Sequence, residues 1–319
     1  MNPHPSRRQI LAASAALASG AVGCSRSPAP GSEPRVFVLR AGYDQGLAES
    51  VRRLLGEHNL NVKGRRVVLK PNLVEYDPGA CINTHPLVVL AALEAFRSMG
   101  AAGVRIAEGP GHRRATLDLA DAAGYFQTIP DFEKLFTDLN LDDVSRVELP
   151  RGARGLRSLY LPKTVLGCDL LVSMPKMKTH HWVGATLGMK NLFGLVPGAV
   201  YGWPKNVLHW AGIDESIVSI NSAIPRMFTI VDGIEGMEGN GPIQGRRKRA
   251  GVIVAGEDRV AVDATCCRIM GIDPARIGYL KMAETLGQTL EANVRQIGEP
   301  IRSVRTPFDL LPEFQSLRL

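Results

Sequence analysis

The sequence predicts an α/β protein built on a mostly parallel, multi-stranded sheet with helices on both faces. It forms one body or two lobes, with a cleft at the C-terminal ends of the strands. Three observations lead there. Short β-branched apolar runs alternate with amphipathic stretches, the grammar of repeated β-α-β units. Ionisable residues gather just after several of those runs, where open α/β sheets collect ligands. And 319 residues that are 45% hydrophobic suffice to bury one large core or two modest ones.

In chain order, Arg35 to Arg40 reads as a strand, Gln45 to His58 as a helix, and Arg66 to Lys70 as a strand. Pro86 to Met99 reads as a helix entered through an Asn83-Thr84 cap, with proline in its first turn. Val104 to Ala107 is a strand, followed by a glycine-rich turn and a helix from about Ala115 or Thr116. Arg146 to Val165 suits an antiparallel hairpin or meander. Asp169 to Met174, Phe228 to Asp232 and Gly251 to Ala255 read as further buried strands, Lys190-Asn191 as part of a short helix, and Val260 to Met270 as a helix. Asp258 and Asp263 bracket the start of that last helix, where capping and salt bridging account for them.

The N-terminus is an address. Ser6-Arg7-Arg8-Gln9-Ile10-Leu11 has the twin-arginine form, and the weakly apolar run from Ile10 to Val22 is too short for a permanent span. Ala21-Val22-Gly23-Cys24 ends it like a lipoprotein processing box. Residues 1–24 are therefore expected to be a signal peptide, 25–34 a Ser/Pro-rich tether and 35–319 a single α/β domain. The expected partners are the twin-arginine translocase during export and the membrane, through a lipid on Cys24; cleavage and release into the periplasm is the alternative. That route carries folded cargo, which favours a protein with a cofactor installed.

The net charge of +7 includes Arg7 and Arg8, the remaining arginines are scattered, and no nucleic-acid-binding signature is present, so nucleic acid is not an expected partner. Cys81, Cys168, Cys266 and Cys267 show no CxxC spacing, so no iron–sulfur cluster is expected. Adjacent Cys266 and Cys267 fit a buried helix face.

The segment from Pro175 to His209 concentrates the chemistry. It holds Lys176, Lys178, Lys190 and Lys205 with His180, His181 and His209, and with Trp210 it contains all 3 tryptophans. No acidic residue lies between Asp169 and Asp214 and no arginine between Arg157 and Arg226. Lysine can be desolvated and can react, whereas a guanidinium is a permanently charged fork. Lysines and imidazoles without a neutralising carboxylate suit an anion, a metal or a covalently held cofactor. Lys190 reads as an anion ligand or a reactive amine. His180 and His181 alternate in regular structure, so one of them is expected to act, and His180 is chosen.

Four strand exits supply the rest: Lys70-Pro71-Asn72, Glu108-Gly109-Pro110-Gly111-His112, Lys176 to His181, and Asp232-Gly233. The loop GIEGMEGNGPIQG after Asp232 offers Glu235, Glu238 and Asn240 to a metal or substrate hydroxyls, or serves as a lid, or is an ordinary mobile loop. Arg246 to Arg249 reads as a solvated turn.

LKPNLV, the Thr84-x-Pro86 helix entry, PKMKTH, TLGMKNLFGLVPG, Lys205, His209, IVDGIEGMEGNGP and DRVAVDA together resemble the domain of unknown function 362 family, over about Val67 to Gly287. A more distant resemblance is to the nickel-pincer lactate racemases, carried by Gly109-Pro110-Gly111-His112-Arg113, His180, Gly184, Gly188, Lys190, Pro197-Gly198 and His209. It implies His112 and His180 as acid and base, Lys190 as covalent attachment point for a nucleotide-derived cofactor, and His209 as a nickel ligand.

The expected function is thus that of an exported enzyme using a metal (nickel or another transition metal) or a nucleotide-derived cofactor on a small carboxylate-bearing anion, by racemase-like hydride or proton transfer. His112, His180 and Lys190 are the catalytic candidates. Lys70, Asn72, Lys176, Lys178, Lys190, Asn191 and Asp232 are the cofactor-binding candidates, and His209 and His180 the metal ligands. The alternative is a non-catalytic periplasmic binding or redox-assembly accessory protein.

Overall fold

In Arg35-Val36-Phe37-Val38-Leu39-Arg40 both sides of the strand are apolar, so the run is stable only inside a sheet covered on both faces. It forms β1 (Arg35–Arg40). Phe37 packs into a layer with the Leu47–His58 and Pro86–Ser98 helices. Val36 and Val38 pack on the opposite face with the Arg259–Ile269 helix.

The computed structural model describes residues 33–319 except 113–114 and 154–155. The predicted signal peptide, Cys24 and most of the tether lie outside the described residues. Residues Glu33–Leu319 cluster as one unit, and no described helix is long and apolar enough to cross a membrane.

The remaining strands are β2 (Arg66–Pro71), β3 (Gly103–Glu108), β4 (Phe136–Asp138), β5 (Val144–Ala153), β6 (Leu156–Pro162), β7 (Leu170–Met174), β8 (Lys176–His180), β9 (Gly184–Thr186), β10 (Met227–Glu238), β11 (Arg246–Gly256) and β12 (Arg295–Gly298). The main sheet runs β12-β1-β11-β10-β7-β2-β3-β4, with β8 beside the far part of β10 and β9 beside β8. β10, β7, β2, β3 and β4 are mutually parallel, as are β12 with β1 and β8 with β10. Only β11, wedged antiparallel between β1 and β10, and the short β9 break the pattern. The predicted Arg146–Val165 hairpin is the separate pair β5 and β6.

Three local readings are corrected. The GIEGME stretch is the second half of β10, not a loop, and Arg246 to Arg249 is the start of β11, not a turn. Opposite charges face across this ladder, Glu235 against Arg249 and Glu238 against Arg246. Arg247 reaches Glu235 at 2.8 Å and Lys248 reaches Glu238 at 3.1 Å. Gly236 is required there because a Cβ would stand 2.5 Å from the Met177 carbonyl. The third correction is the helix cap. His85 Nδ1, not Asn83 or Thr84, accepts from Leu87 N, while Thr84 Oγ1 accepts from Asn72 N and donates to the Met174 carbonyl.

Cys266 and Cys267 are buried in the helix as expected, and the four described cysteines are free. Asp258 caps its own helix through Val260 N and Ala261 N. Asp263 has a different task. Fully buried, it accepts from Gly188 N (2.8 Å) and Met189 N (3.0 Å), which start the short Gly188–Asn191 helix.

Candidate functional site

β2 and β3 run side by side with Leu69 level with Ile106, so their C-terminal ends bring Lys70 and Glu108 together under the C-terminal edge of the sheet. Lys70 Nζ donates to Glu108 Oε2 at 2.8 Å and to Asn191 Oδ1 at 3.2 Å, with both ionic side chains 1% exposed. Glu108 also accepts from Leu73 N and Gly109 N. Asn191 Nδ2 donates to the Lys70 carbonyl and Ser173 Oγ, so its amide ties β2 to β7. This saturated network is the floor of a cavity of about 950 Å³.

Lys70, Asn72, His112, Lys178, His180, Lys190, Asn191 and His209 all border that cavity. Lys178 is held by the Asn72 Oδ1, Ile82 and Pro242 oxygens at 2.8, 2.9 and 3.2 Å. Lys205 donates to the Gly109 carbonyl at 2.7 Å. Lys190 Nζ has no hydrogen-bond acceptor among the described residues and lies 4.2 Å from the centroid of the Phe193 ring. Among the described residues none of these three lysines forms an ion pair. Burial therefore dominates their titration: it pulls Lys178 and Lys205 down to about 7 and Lys190 to about 8. Of the lining carboxylates, Glu108 is committed to Lys70, and Glu313 is exposed.

The imidazoles form an aromatic wall. His180 and His181 stack at 5.0 Å, His181 meets Trp182 at 4.6 Å, and Trp182 meets His209 at 5.2 Å. Both His180 and His181 border the cavity, which corrects the expectation that only one would. His180 ends β8, and His181 lies in the turn that follows, where strand alternation no longer holds. Their tautomers differ. His180 Nδ1 accepts from Trp182 N, so the neutral ring carries its proton on Nε2; burial drives its pKa far down. His181 Nδ1 lies 2.7 Å from the Gly241 carbonyl and must donate to it, leaving Nε2 with a lone pair. His181, not His180, therefore has the base-competent tautomer. His209 is half-buried; burial and the nearby Lys190 charge lower its pKa, partly offset by the Lys205 carbonyl.

Lys176 and Asp232, grouped with the cleft from sequence, lie outside it. β8 is a paired strand rather than a loop, and its first residue faces Asp232 of β10. Lys176 Nζ donates to Asp232 Oδ2 at 2.7 Å and Tyr43 Oη at 2.9 Å, while Asp232 also accepts from Tyr43 Oη and His85 N. Lys176 borders a second cavity of about 390 Å³ with Tyr43, Cys81 and His85. His112 is exposed at the rim of the main one.

Sequence reasoning left Lys205, Glu108, His181 and Phe193 out of its candidate set. The absence of acidic residues around Lys205 was visible, whereas its left-handed backbone (φ 66°) and its aim at Gly109 were not.

The model for the family described as domain of unknown function (DUF362) matches residues 67–268, and a thylakoid-associated protein of Synechocystis sp. is 33% identical over 273 residues, 79% of each chain. The chain belongs to this family. Among solved structures, the lactate racemase apoprotein from Thermoanaerobacterium thermosaccharolyticum aligns at 13% identity and TM-score 0.46, covering 77% of this chain and 59% of that one. A Thermotoga maritima protein aligns at 16% identity and TM-score 0.43, covering 69% and 57%. This chain thus spans less than two thirds of either solved chain.

Proposed function

We propose that this family member is an enzyme that binds a small carboxylate-bearing anion in the 950 Å³ cavity and moves a proton or hydride at the carbon beside the carboxylate. One observation carries the reading: Lys178, Lys190 and Lys205 surround the cavity without an ion-paired carboxylate. Desolvated cations without counterions are unfavourable, and a bound anion offsets that cost. His181 Nε2 and His209 supply proton acceptors on the same wall, and the exposed His112 stands at the mouth.

Among the described residues no three His, Cys, Asp or Glu side chains converge on a metal position. His180 presents a protonated Nε2, which does not ligate. The donor set therefore does not fit a metal held by protein ligands alone. A nucleotide-derived group carrying its own metal ligands would meet His209 in this cavity, and when bound it would supply a hydride acceptor. His209 would orient it, and Phe193 with Trp182 would exclude water from one side.

The test is calorimetric titration of the full-length protein with lactate and glycerate at pH 7. Saturable binding that weakens at least about tenfold in both Lys190→Ala and Lys190→Arg supports the reading, since a guanidinium does not replace a compact ammonium. Absence of binding, or binding unchanged in both variants, overturns it.

We further propose export and lipid anchoring at Cys24. Support comes from the twin-arginine and Cys24 motifs and from the relative's description as thylakoid-associated. Cell fractionation with intact mass tests this: wild-type protein recovered with no lipid mass added at Cys24 would exclude the anchor.

A further inference from the structure

The three uncompensated lysines of the cavity are not equivalent. Lys178 has three oxygen acceptors, one for each N–H of an ammonium, and losing its proton would leave one of them unmet. Lys205 is tied to the Gly109 carbonyl. Lys190 has no acceptor among the described residues, and the face of the Phe193 ring beside it offers none of conventional strength. Its amine is the one whose lone pair can be released without breaking a protein hydrogen bond.

The neighbourhood suits a nucleophile. Phe193 keeps the amine dry on one side, and the Phe193 ring meets His209 edge-on with centroids 6.4 Å apart. Lys190 and His209 border the same cavity, so an imidazole stands within the amine's own aromatic cluster. Asp263 holds the turn that carries Lys190 by accepting from Gly188 N and Met189 N. The turn also cannot drift inward at its first residue, since a Cβ on Gly188 would stand 2.7 Å from Thr229 Cγ2. A desolvated amine on a rigid turn is the arrangement that activates a lysine toward carbonyl carbon, and burial outweighs the opposing charge of Asp214.

Resting on the anion-site reading above, we propose that Lys190 forms an imine with the carbonyl of a small 2-oxo acid whose carboxylate lies in the field of Lys178 and Lys205. The neutral amine attacks the carbonyl carbon; a C–N bond forms, and the carbonyl π pair moves to oxygen. His209 carries the first nitrogen proton to that oxygen, giving the carbinolamine; the nitrogen lone pair then forms the C=N bond as the C–O bond breaks, and the second nitrogen proton passes by way of His209 to the departing oxygen, which leaves as water. The product is the imine plus one water, with no change of oxidation state.

The experiment is borohydride trapping. The full-length protein is incubated with glyoxylate or pyruvate at pH 7.5, reduced with sodium borohydride, and read by intact mass and peptide mapping. The expected adduct adds the mass of the oxo acid less one oxygen, on Lys190, at least about tenfold faster than on surface lysines, because a depressed pKa raises the free-amine fraction near neutrality, and ahead of Lys178 and Lys205, whose nitrogens are held by protein acceptors. Lys190→Arg should retain the wild-type melting temperature and lose the adduct. Labelling spread over surface lysines, or undiminished in Lys190→Arg, overturns the imine. Lactate binds as an anion but cannot form an imine. Lactate binding without trapping sinks this proposal alone, whereas loss of both sinks the anion site as well.

Discussion

Breaking the ion pair beneath the cavity should be costly, and restoring neutrality should recover much of the cost. Lys70 and Glu108 meet at 2.8 Å with both side chains 1% exposed. Lys70→Met leaves a buried carboxylate without its cation, and removal of one partner of such a pair costs about 3–5 kcal/mol. Glu108→Leu strands the Lys70 ammonium and also deprives Leu73 N and Gly109 N of their acceptor, adding about 1–3 kcal/mol for each. The double variant carries no buried charge, so what remains unmet is the two amides and Asn191 Oδ1, at roughly 3–9 kcal/mol. The coupling energy between the two sites should therefore be about 3 kcal/mol or more. Urea unfolding of the four proteins, followed by far-ultraviolet circular dichroism at pH 7, measures it. Single variants within about 1 kcal/mol of wild type, or additive effects, would show that this pair does not hold the floor of the site.

Other expectations follow from the same geometry. Affinity for a small carboxylate should be greatest below pH 7 and fall as pH rises through about 7 to 8, where Lys178, Lys205 and Lys190 lose their protons; titrations at pH 8 in buffers of different ionisation enthalpy should reveal proton uptake on binding. Asp263→Asn keeps one acceptor where two N–H groups need acceptors, so stability should drop by about 1–3 kcal/mol and anion affinity should weaken with it; wild-type values in both assays would remove Asp263 as the support of Lys190. His58, packed between Phe37 and Phe228, is held by burial at about 4. Its folded pKa lies below the unfolded value, so the stability it contributes is complete above about 6.5 and is lost as pH falls toward 4, by up to about 3 kcal/mol. His58→Phe should flatten that acid limb in urea titrations, and an unchanged slope would assign the acid sensitivity elsewhere.

The parallel strands were legible because strands covered on both faces must be apolar on both faces, and Arg35–Arg40 and Leu170–Met174 are so. Lysines clustered in a stretch without acids were legible for the same kind of reason: charge is a property of residue type. The tautomers of His180 and His181 were not, because each is set by one backbone group, Trp182 N and the Gly241 carbonyl. Nor was the β10–β11 ladder, in which glycines that resemble a loop are needed because Met177 and Phe308 pack against the strand.

The amino-acid order by itself determined the layered α/β architecture, the family and the chemical character of the site, since periodicity, motif and side-chain type are local properties. The tertiary structure alone decided which charges are neutralised. Lys70 found Glu108 and Lys176 found Asp232, through pairings 38 and 56 residues apart in the chain, while Lys190 was left with an aromatic face. An ion pair depends on distance and desolvation, and both are set only when separate strands come into register.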